Sequence, residues 1–280
     1  MQKFSSVDSI RTWTRQYTIA GRRVGLVPTM GALHEGHLSL VRQAKQECDV
    51  CVATIFVNPT QFAPTEDLSR YPRPLERDLE LLRAEGADGV FLPDEAIMYP
   101  EGFGTYVMPP PVGLPLEGQS RPEHFRGVTT VVMKLFQIVG PDAVFFGRKD
   151  FQQLRVIEDM TCDLNVPVRI VPCDIVRDPD GLAMSSRNRY LSADERQRAL
   201  SLSRALHLVE ELVSGGERSV AILESAMKSE LKACDSVDYA VVVDAKTLQP
   251  IECVGHAGAK SVALLAARLG NTRLIDNRVL

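Results

Sequence analysis

The alternation of short apolar runs with helix-period segments is the feature that most constrains the fold of this chain. Between residues 22 and 172, runs rich in Val, Ile, Ala and Phe alternate with stretches whose apolar residues recur every three or four positions. The apolar runs are typical of buried strands, and the periodic stretches are typical of amphipathic helices. Strands that alternate with helices form a parallel sheet covered on both faces. The sequence therefore predicts an α/β fold, a Rossmann-like doubly wound parallel sheet.

The predicted elements divide the chain into two domains, 1–176 and 177–280. The predicted strands of the first domain are residues 24–27, 50–57, 89–92, 143–146 and 168–171. Its predicted helices are residues 37–47, 75–84, 128–138 and 151–164. A polar segment over residues 178–189 begins with Asp-Pro-Asp-Gly, which is a strong turn signal. The patterns beyond it predict a smaller α+β domain with helices near 193–213 and 220–234 and strands at 239–243, 261–267 and 272–276. The first of these helices could pack inside this domain or form a seam between subunits.

Composition and charge limit the classes of function. The 280 residues are 45% hydrophobic and 24% charged, which is enough to bury a sizeable core. A net charge of −4 argues against a nucleic-acid partner, which would need a basic face. No apolar run approaches the roughly 20 residues of a membrane span, and no signal peptide is recognisable, so we expect a cytoplasmic protein that does not bind membranes.

The six cysteines are scattered, as is usual for free thiols in a reducing compartment. Cys48 and Cys51 form a C-x-x-C, but they lie across a predicted helix end and strand start. A redox pair would open a helix, so we do not expect redox chemistry here.

Two histidines flank a Glu-Gly pair in His34-Glu35-Gly36-His37, where the first predicted strand gives way to a helix. The first N–H groups of a helix lack internal partners and carry partial positive charge, so this end attracts phosphate. Residues three apart place both imidazoles on one side of the first turn. Each histidine could instead be a cap or a solvated surface group. A zinc-protease motif would need histidines four apart.

Polar side chains also follow the second predicted strand. Asn58 and Gln61 in Asn58-Pro59-Thr60-Gln61-Phe62 could hold a hydroxyl or carboxylate by directional hydrogen bonds, although Asn-Pro is also a turn signal. Arg121, His124 and Arg126 lie in a Gly/Pro-rich stretch further on. An arginine there could bind a carboxylate or phosphate through two parallel hydrogen bonds, or it could simply be solvated.

A charged segment follows the fourth predicted strand, in Gly147-Arg148-Lys149-Asp150. A lysine at a helix start opposes the helix dipole, so Lys149 is expected to serve a ligand, with phosphate the obvious candidate. Asp150 fits an N-cap and could also meet a ribose hydroxyl. In the turn-rich segment, Met184-Ser185-Ser186-Arg187 places two hydroxyls beside a guanidinium, where a loop could close over a triphosphate.

The histidine motif and the Met-Ser-Ser-Arg segment together resemble the two signatures of the adenylate-forming nucleotidyltransferases. With Asn58-Pro59-Thr60-Gln61-Phe62, His124-Phe125-Arg126-Gly127-Val128 and Gly147-Arg148-Lys149-Asp150, the chain resembles the pantothenate synthetase family over nearly its whole length. The resemblance implies a two-step ligation. Pantoate is first adenylated by ATP, and the amine of β-alanine then displaces AMP. It also implies a homodimer and ATP used with Mg²⁺, which would be held mainly by phosphate oxygens and water.

The resemblance also implies functional residues. The ATP site would be lined by Met30, Gly31, Ala32, Leu33, His34, Glu35, Gly36, His37, Gly147, Arg148, Lys149, Asp150, Val176, Met184, Ser185, Ser186 and Arg187. The groups expected to act on the phosphates are His34, His37, Lys149, Ser185, Ser186 and Arg187. Pantoate would be held by Gln61 and Gln153, with Gln61 also near β-alanine and with Asn58 and Arg121 as further substrate-binding candidates. The first domain would bind ATP and pantoate, and the second would act as a lid.

Two alternatives remain at this point. A nucleotidyltransferase could stop at a nucleotide-linked product, or the chain could be a non-catalytic nucleotide-binding module. One departure from the family pattern is Ala63-Pro64, where glycine is expected after Gln61-Phe62. If that loop needed a positive φ, Ala63 would be strained.

Overall fold

The computed structural model describes residues 1–64, 66–255 and 258–280, which form two compact units. The N-terminal unit contains Met1–Arg148 and Gln152–Asp174, and the C-terminal unit contains Lys149–Phe151 and Ile175–Leu280. Residues 149–151 thus group with the C-terminal unit, although the chain on both sides of them groups with the other. The functional division into a binding domain and a lid stays a prediction.

The N-terminal unit is built on a six-stranded sheet. Its strands are β1 (Gln2–Phe4), β2 (Val24–Thr29), β3 (Val50–Ile55), β4 (Gly89–Phe91), β5 (Ala143–Gly147) and β6 (Arg169–Cys173). The helices along this part of the chain are α1 (Val7–Ile19), α2 (Glu35–Glu47), α3 (Leu75–Ala84), α4 (Glu95–Met98), α5 (Glu117–Ser120), α6 (His124–Val139) and α7 (Phe151–Asp163). The strand order is β1-β4-β3-β2-β5-β6, and every pairing is parallel. The predicted doubly wound parallel sheet is confirmed.

The chain changes direction across the sheet at β2. Strands β3, β4 and β1 lie on one side of β2, and β5 and β6 lie on the other. The carboxyl end of β2 is therefore the topological switch point, where α/β folds bind ligands. The strands supply a continuous apolar core because residues such as Leu26, Val52 and Val144 are fully buried.

The C-terminal unit has a separate core. Its strands are β7 (Ser236–Asp244), β8 (Ser261–Leu269) and β9 (Thr272–Val279), and its helices are α8 (Ala193–Ser214) and α9 (Val220–Glu230). The three strands form an antiparallel sheet in the order β7-β8-β9. Ser192 and Glu195 form a capping box that starts α8. The apolar face of α8, with Leu202 and Leu206, packs into the core of its own unit.

The cysteines agree with the expectation of free thiols. All six cysteines are free thiols, and burial raises the pKa of Cys51 to about 12 and that of Cys48 above its usual range. Cys48 lies at the end of α2 and Cys51 lies in β3, so neither thiol is activated for redox exchange. Among the described residues, no helix combines the length and hydropathy needed to span a bilayer.

Candidate active site

The turn that leaves β2 at the switch point has an unusual backbone. Gly31 has a φ of +78° and Ala32 a φ of +51°, so two successive residues adopt left-handed conformations. Glycine tolerates this region, but alanine does so only at a cost. The surrounding structure must therefore hold the turn in place.

The buried carboxylate of Asp78 provides that support. Its two oxygens accept hydrogen bonds from the backbone N–H groups of Ala32, at 2.7 Å, and Leu33, at 2.9 Å. Asp78 is 1% exposed and lies in the first turn of α3, where the helix dipole favours negative charge. Successive N–H groups in left-handed turns form a nest that binds anions, and here a carboxylate of the protein occupies the nest. The next N–H groups along the chain are those at the start of α2.

The sequence reasoning missed Asp78, although a signal was present. Asp78 has the helical spacing of the buried Leu79 and Leu82, so the acid lies on the buried face of α3. An ionisable residue in such a stripe needs a polar partner, and the turn after β2 supplies it.

His34 and His37 come together as the spacing predicts. His34 is the N-cap of α2, and the centroids of the two imidazole rings are 4.1 Å apart. The backbone N–H of His34 donates a hydrogen bond to Nδ1 of His37 at 3.4 Å. With Nδ1 accepting, the neutral ring carries its proton on Nε2, so His37 can donate from Nε2 to another group. The first-turn N–H groups of Glu35 and Gly36 have no intrahelical acceptor and add to this donor set.

Gln61 lies beside the same turn. Asn58 precedes a short 3-10 helix over Pro59–Gln61, and the amide Nε2 of Gln61 donates to the sulfur of Met30 at 3.3 Å. Two predicted ligand-binding segments are thus neighbours within the N-terminal unit. Ala63 is not among the residues with positive φ, so the substitution for glycine causes no backbone strain.

Asn58 holds the side chain of Gln61 in place. Asn58 is 1% exposed, and its Nδ2 donates to Oε1 of Gln61 at 3.0 Å and to the carbonyl of Gly127 at 3.3 Å. Its Oδ1 accepts hydrogen bonds from the hydroxyls of Tyr99, at 2.7 Å, and Thr60, at 2.9 Å. These bonds fix the Gln61 amide with its Nε2 as the outward donor. Tyr99 was not identified from the sequence, because it is far along the chain from Asn58.

The start of α6 packs tightly on this segment. A Cβ on Gly127 would lie 2.4 Å from the carbonyl oxygen of Thr60, so only glycine fits. His124 Nδ1 contacts the carbonyl of Gln61 at 2.9 Å, and its Nε2 lies 3.2 Å from Nη1 of Arg121. Because a guanidinium only donates, Nε2 accepts and Nδ1 carries the proton. Burial, reinforced by the Arg121 cation, lowers the pKa of His124 to about 4, so this ring is neutral at neutral pH.

Arg121 is held by carboxylates. Its guanidinium donates two hydrogen bonds to Glu66, at 2.6 and 2.7 Å, and a third to the carbonyl of Gln61 at 3.3 Å. It also lies 3.9 Å from Glu117. Arg121 is thus partly buried and stabilises the segment that contains Gln61, and it is not a solvated surface group. Arg126, with 40% of its side chain exposed, pairs with Glu123 and stacks over Tyr106.

The chain after β5 carries Lys149. β5 ends at Gly147, a 3-10 helix follows over Arg148–Asp150, and α7 begins at once. The side chain of Lys149 is 20% exposed, and its Nζ lies 3.6 Å from Oδ1 of Asp150. Of the two glutamines that follow, Gln152 is 4% exposed, and it donates to the carbonyls of Val112 and Pro115 at 2.8 and 2.7 Å. Gln152 is therefore structural, and Gln153 remains the predicted substrate contact.

The C-terminal unit organises the Met-Ser-Ser-Arg segment. The N–H of Met184 donates to the carbonyl of Val176 at 3.0 Å, which brings these two predicted ATP-site residues together. Ser185 caps a 3-10 helix over Ser186–Tyr190 and accepts a hydrogen bond from the N–H of Arg187 at 3.3 Å. Ser186 is 6% exposed. The segment is thus an ordered turn.

A parallel sheet with a helix N-terminus directly after its switch-point strand is typical of the α/β proteins that bind nucleotides. The sequence model described as Pantoate-beta-alanine ligase matches residues 2–279. A curated pantothenate synthetase from Rhodopirellula baltica is 59% identical over 283 residues, covering 100% of this chain and 99% of the relative. One from Moorella thermoacetica is 51% identical and covers the same shares. The chain belongs to the pantoate-beta-alanine ligase family and is a ligase of that family.

Solved structures agree. The crystal structure of the pantothenate synthetase from Thermus thermophilus matches with a TM-score of 0.92 and 44% identity, covering 99% of both chains. The pantoate-beta-alanine ligase from Francisella tularensis, crystallised with beta-gamma ATP and beta-alanine, matches with a TM-score of 0.80 and 32% identity, covering 100% of this chain and 97% of that one.

Proposed function

We propose that this chain condenses (R)-pantoate with β-alanine to pantothenate, using ATP and releasing AMP and pyrophosphate. The observation that carries the proposal is the contact between Gln61 and Met30, 3.3 Å apart, which brings the predicted carboxylate-binding amide to the turn that leads into His34 and His37. The family membership and the ATP- and β-alanine-bound relative support the same reaction.

In the first step, a carboxylate oxygen of pantoate attacks the α-phosphorus of ATP. The bond to the bridging oxygen breaks, and pyrophosphate leaves with the electron pair. His34 and His37 donate hydrogen bonds to the phosphates as charge moves onto pyrophosphate. For His37 the donor is Nε2, because Nδ1 accepts the N–H of His34. Met30, Gly31, Ala32, Leu33, Glu35 and Gly36 line the nucleotide beside the two histidines.

The remaining groups bind both substrates. Gln61 and Gln153 hold pantoate. Asn58 and Arg121 contribute to substrate binding by holding Gln61 in position. The C-terminal unit contributes Lys149, Ser185, Ser186 and Arg187 to the phosphates, with Val176 and Met184 along the nucleotide. Gly147, Arg148 and Asp150 complete the nucleotide-binding set.

In the second step, the amine of β-alanine attacks the acyl carbon of the adenylate, AMP leaves, and the amine loses a proton. Gln61 also meets β-alanine. No covalent enzyme intermediate is needed, because adenylation creates the leaving group and the protein supplies alignment and charge stabilisation. We propose that the C-terminal unit acts as a lid that keeps water from the acyl adenylate.

ATP acts as its Mg²⁺ complex in this proposal. Mg²⁺ dehydrates reluctantly, so phosphate oxygens and water suit it as ligands. We further propose a homodimer, supported by exposed apolar side chains at Tyr106, Met108 and Leu114 in the N-terminal unit, and a cytoplasmic location, supported by six free thiols. Sedimentation of the purified protein tests the dimer.

The reaction is tested by separate assays of pyrophosphate and AMP. The purified protein is incubated with Mg-ATP and pantoate, with and without β-alanine. With pantoate alone, we expect at most about one pyrophosphate per active site. AMP and pantothenate should form only after β-alanine is added. Continuous turnover to a nucleotide-linked product without an amine would instead indicate a nucleotidyltransferase. No pantoate-dependent pyrophosphate at all would exclude the proposed reaction.

A further inference from the structure

Two consecutive residues of β9, Asp276 and Asn277, are buried polar groups that the reaction as described does not use. Each is 3% exposed. Buried carboxylates and amides are retained where their hydrogen bonds fix a specific arrangement. Asn277 contacts Lys149, which the proposed function assigns to ATP, and Asp276 contacts Arg177, which follows the assigned Val176 in the chain.

Asp276 holds the chain that leads to the Met-Ser-Ser-Arg segment. Its carboxylate accepts two hydrogen bonds from the guanidinium of Arg177, at 2.6 and 3.0 Å, and Arg177 also donates to the carbonyl of Gly181 at 3.1 Å. Arg177 pairs in turn with Ala183 through an antiparallel bridge. Arg177 thus connects both sides of the turn over residues 177–183 to β9, directly before Met184.

Asn277 holds the backbone of Lys149. Its Nδ2 donates to the carbonyl oxygen of Lys149 at 2.8 Å, across 128 positions of sequence. A carbonyl only accepts, so the amide nitrogen must face it, and neither aspartate nor alanine could replace that donor. This bond is consistent with the grouping of residues 149–151 with the C-terminal unit.

We propose that Asn277 is a positioning residue for Lys149. It fixes Lys149 on the strand whose neighbouring residue, Asp276, anchors the Met184–Arg187 segment, so the cation and the hydroxyls share one rigid support. Phosphate stabilisation depends on such preorganisation, and a displacement of about 1 Å can cost about 10²-fold in rate. The inference rests on the proposed function, in which Lys149 contacts ATP.

A double-mutant cycle tests this inference through the rate of pantoate-dependent pyrophosphate formation in a single turnover. We expect Asn277→Ala to slow this step by about 10- to 100-fold with little change in the KM for pantoate. Asn277→Asp keeps the size but lacks the donor, so it should slow the step similarly, and it serves if the alanine variant fails to fold. In a Lys149→Ala background, Asn277→Ala should cause no further loss, because its effect passes through Lys149.

Arg278→Ala is the matched control. Arg278 is the next residue of β9, and its side chain pairs with Glu210 of α8 at 2.9 Å. Its loss should lower the melting temperature but leave the rate unchanged. Multiplicative effects of Asn277→Ala and Lys149→Ala, or an equal rate loss in Arg278→Ala, would overturn the inference. A wild-type protein with no pantoate-dependent pyrophosphate would instead refute the proposed function itself.

Discussion

The carboxylate of Asp78 makes a sharp prediction, because two buried backbone donors depend on it. Asp78→Asn keeps the shape of the side chain but leaves one oxygen where two now accept from Ala32 and Leu33, at 2.7 and 2.9 Å. The amide NH₂ then faces a backbone N–H. A donor meets a donor in a site that is 1% exposed, so water cannot easily repair the loss.

The expected cost follows from these contacts. A hydrogen bond to a charged group contributes about 1.5–3 kcal/mol, and a buried donor left unsatisfied costs about 1–3 kcal/mol. Ala32 also holds a φ of +51°, a left-handed conformation that costs an alanine about 1–2 kcal/mol, so the turn is expected to relax once its anchor weakens. We therefore expect the free energy of unfolding of the N-terminal unit to fall by about 2–3 kcal/mol. The KM for ATP should rise more than that for pantoate.

Urea denaturation followed by tryptophan fluorescence measures this loss. Trp13 is the one tryptophan in the sequence, and its ring lies 5.0 Å from that of Phe4 in the N-terminal unit, so the signal reports that unit. Asp8→Asn is the matched control, since Asp8 is an exposed aspartate in the first turn of α1. It shares the helix-dipole contribution but lacks the two buried bonds. If the free energies of unfolding of Asp78→Asn and of the Asp8→Asn control agree within about 0.5 kcal/mol, Asp78 does not support the turn.

Three further predictions concern the same unit. Gly127→Ala would place a methyl group 2.4 Å from the carbonyl oxygen of Thr60, so the KM for pantoate should rise while the KM for ATP changes little; an unchanged pantoate KM would contradict the close packing. The pKa of His124 is about 4 in the folded protein but about 6.5 in the unfolded chain, so the unfolded chain binds the extra proton between these values. The free energy of unfolding measured in urea should therefore fall by about 3 kcal/mol as the pH falls from 6.5 to 4. His124→Asn should flatten this pH dependence. His37→Ala should lower the single-turnover rate of pyrophosphate release by about 10²-fold with the fold intact, and near-normal turnover would exclude its assigned role.

Periodicity predicted the regular elements well, because burial governs both the pattern and the structure. The bounds of α3 are the predicted ones, and the five predicted strands are all present. Strand β2 runs past the predicted end at residue 27 to include Pro28 and Thr29, since tertiary pairing with β3 overrides the weak strand preference of proline. Strand β1 and helix α1 were not predicted. The strand has three residues at the sheet edge, and the helix has few buried positions.

The sequence motifs indicated the predicted ligand contacts but not the residues that support them. Local spacing brings His34 and His37 together, since both lie in one helical turn. Asn58, Lys149 and the β2 turn are supported from distant parts of the chain, by Tyr99, Asn277 and Asp78 respectively. No local pattern specifies such pairs, because they depend on the tertiary fold. The left-handed conformation of Ala32 was equally invisible, since alanine carries no signal for it.

The transfer of an oxygen atom tests the adenylate route most directly. Pantoate labelled with ¹⁸O in both carboxylate oxygens is incubated with Mg-ATP, β-alanine and the enzyme. The ¹⁸O content of each product is then measured by mass spectrometry. If a carboxylate oxygen attacks the α-phosphorus, each turnover leaves one ¹⁸O in AMP and one in the amide carbonyl of pantothenate, with none in pyrophosphate. Unlabelled AMP, or label in inorganic phosphate formed alongside ADP, would contradict the account.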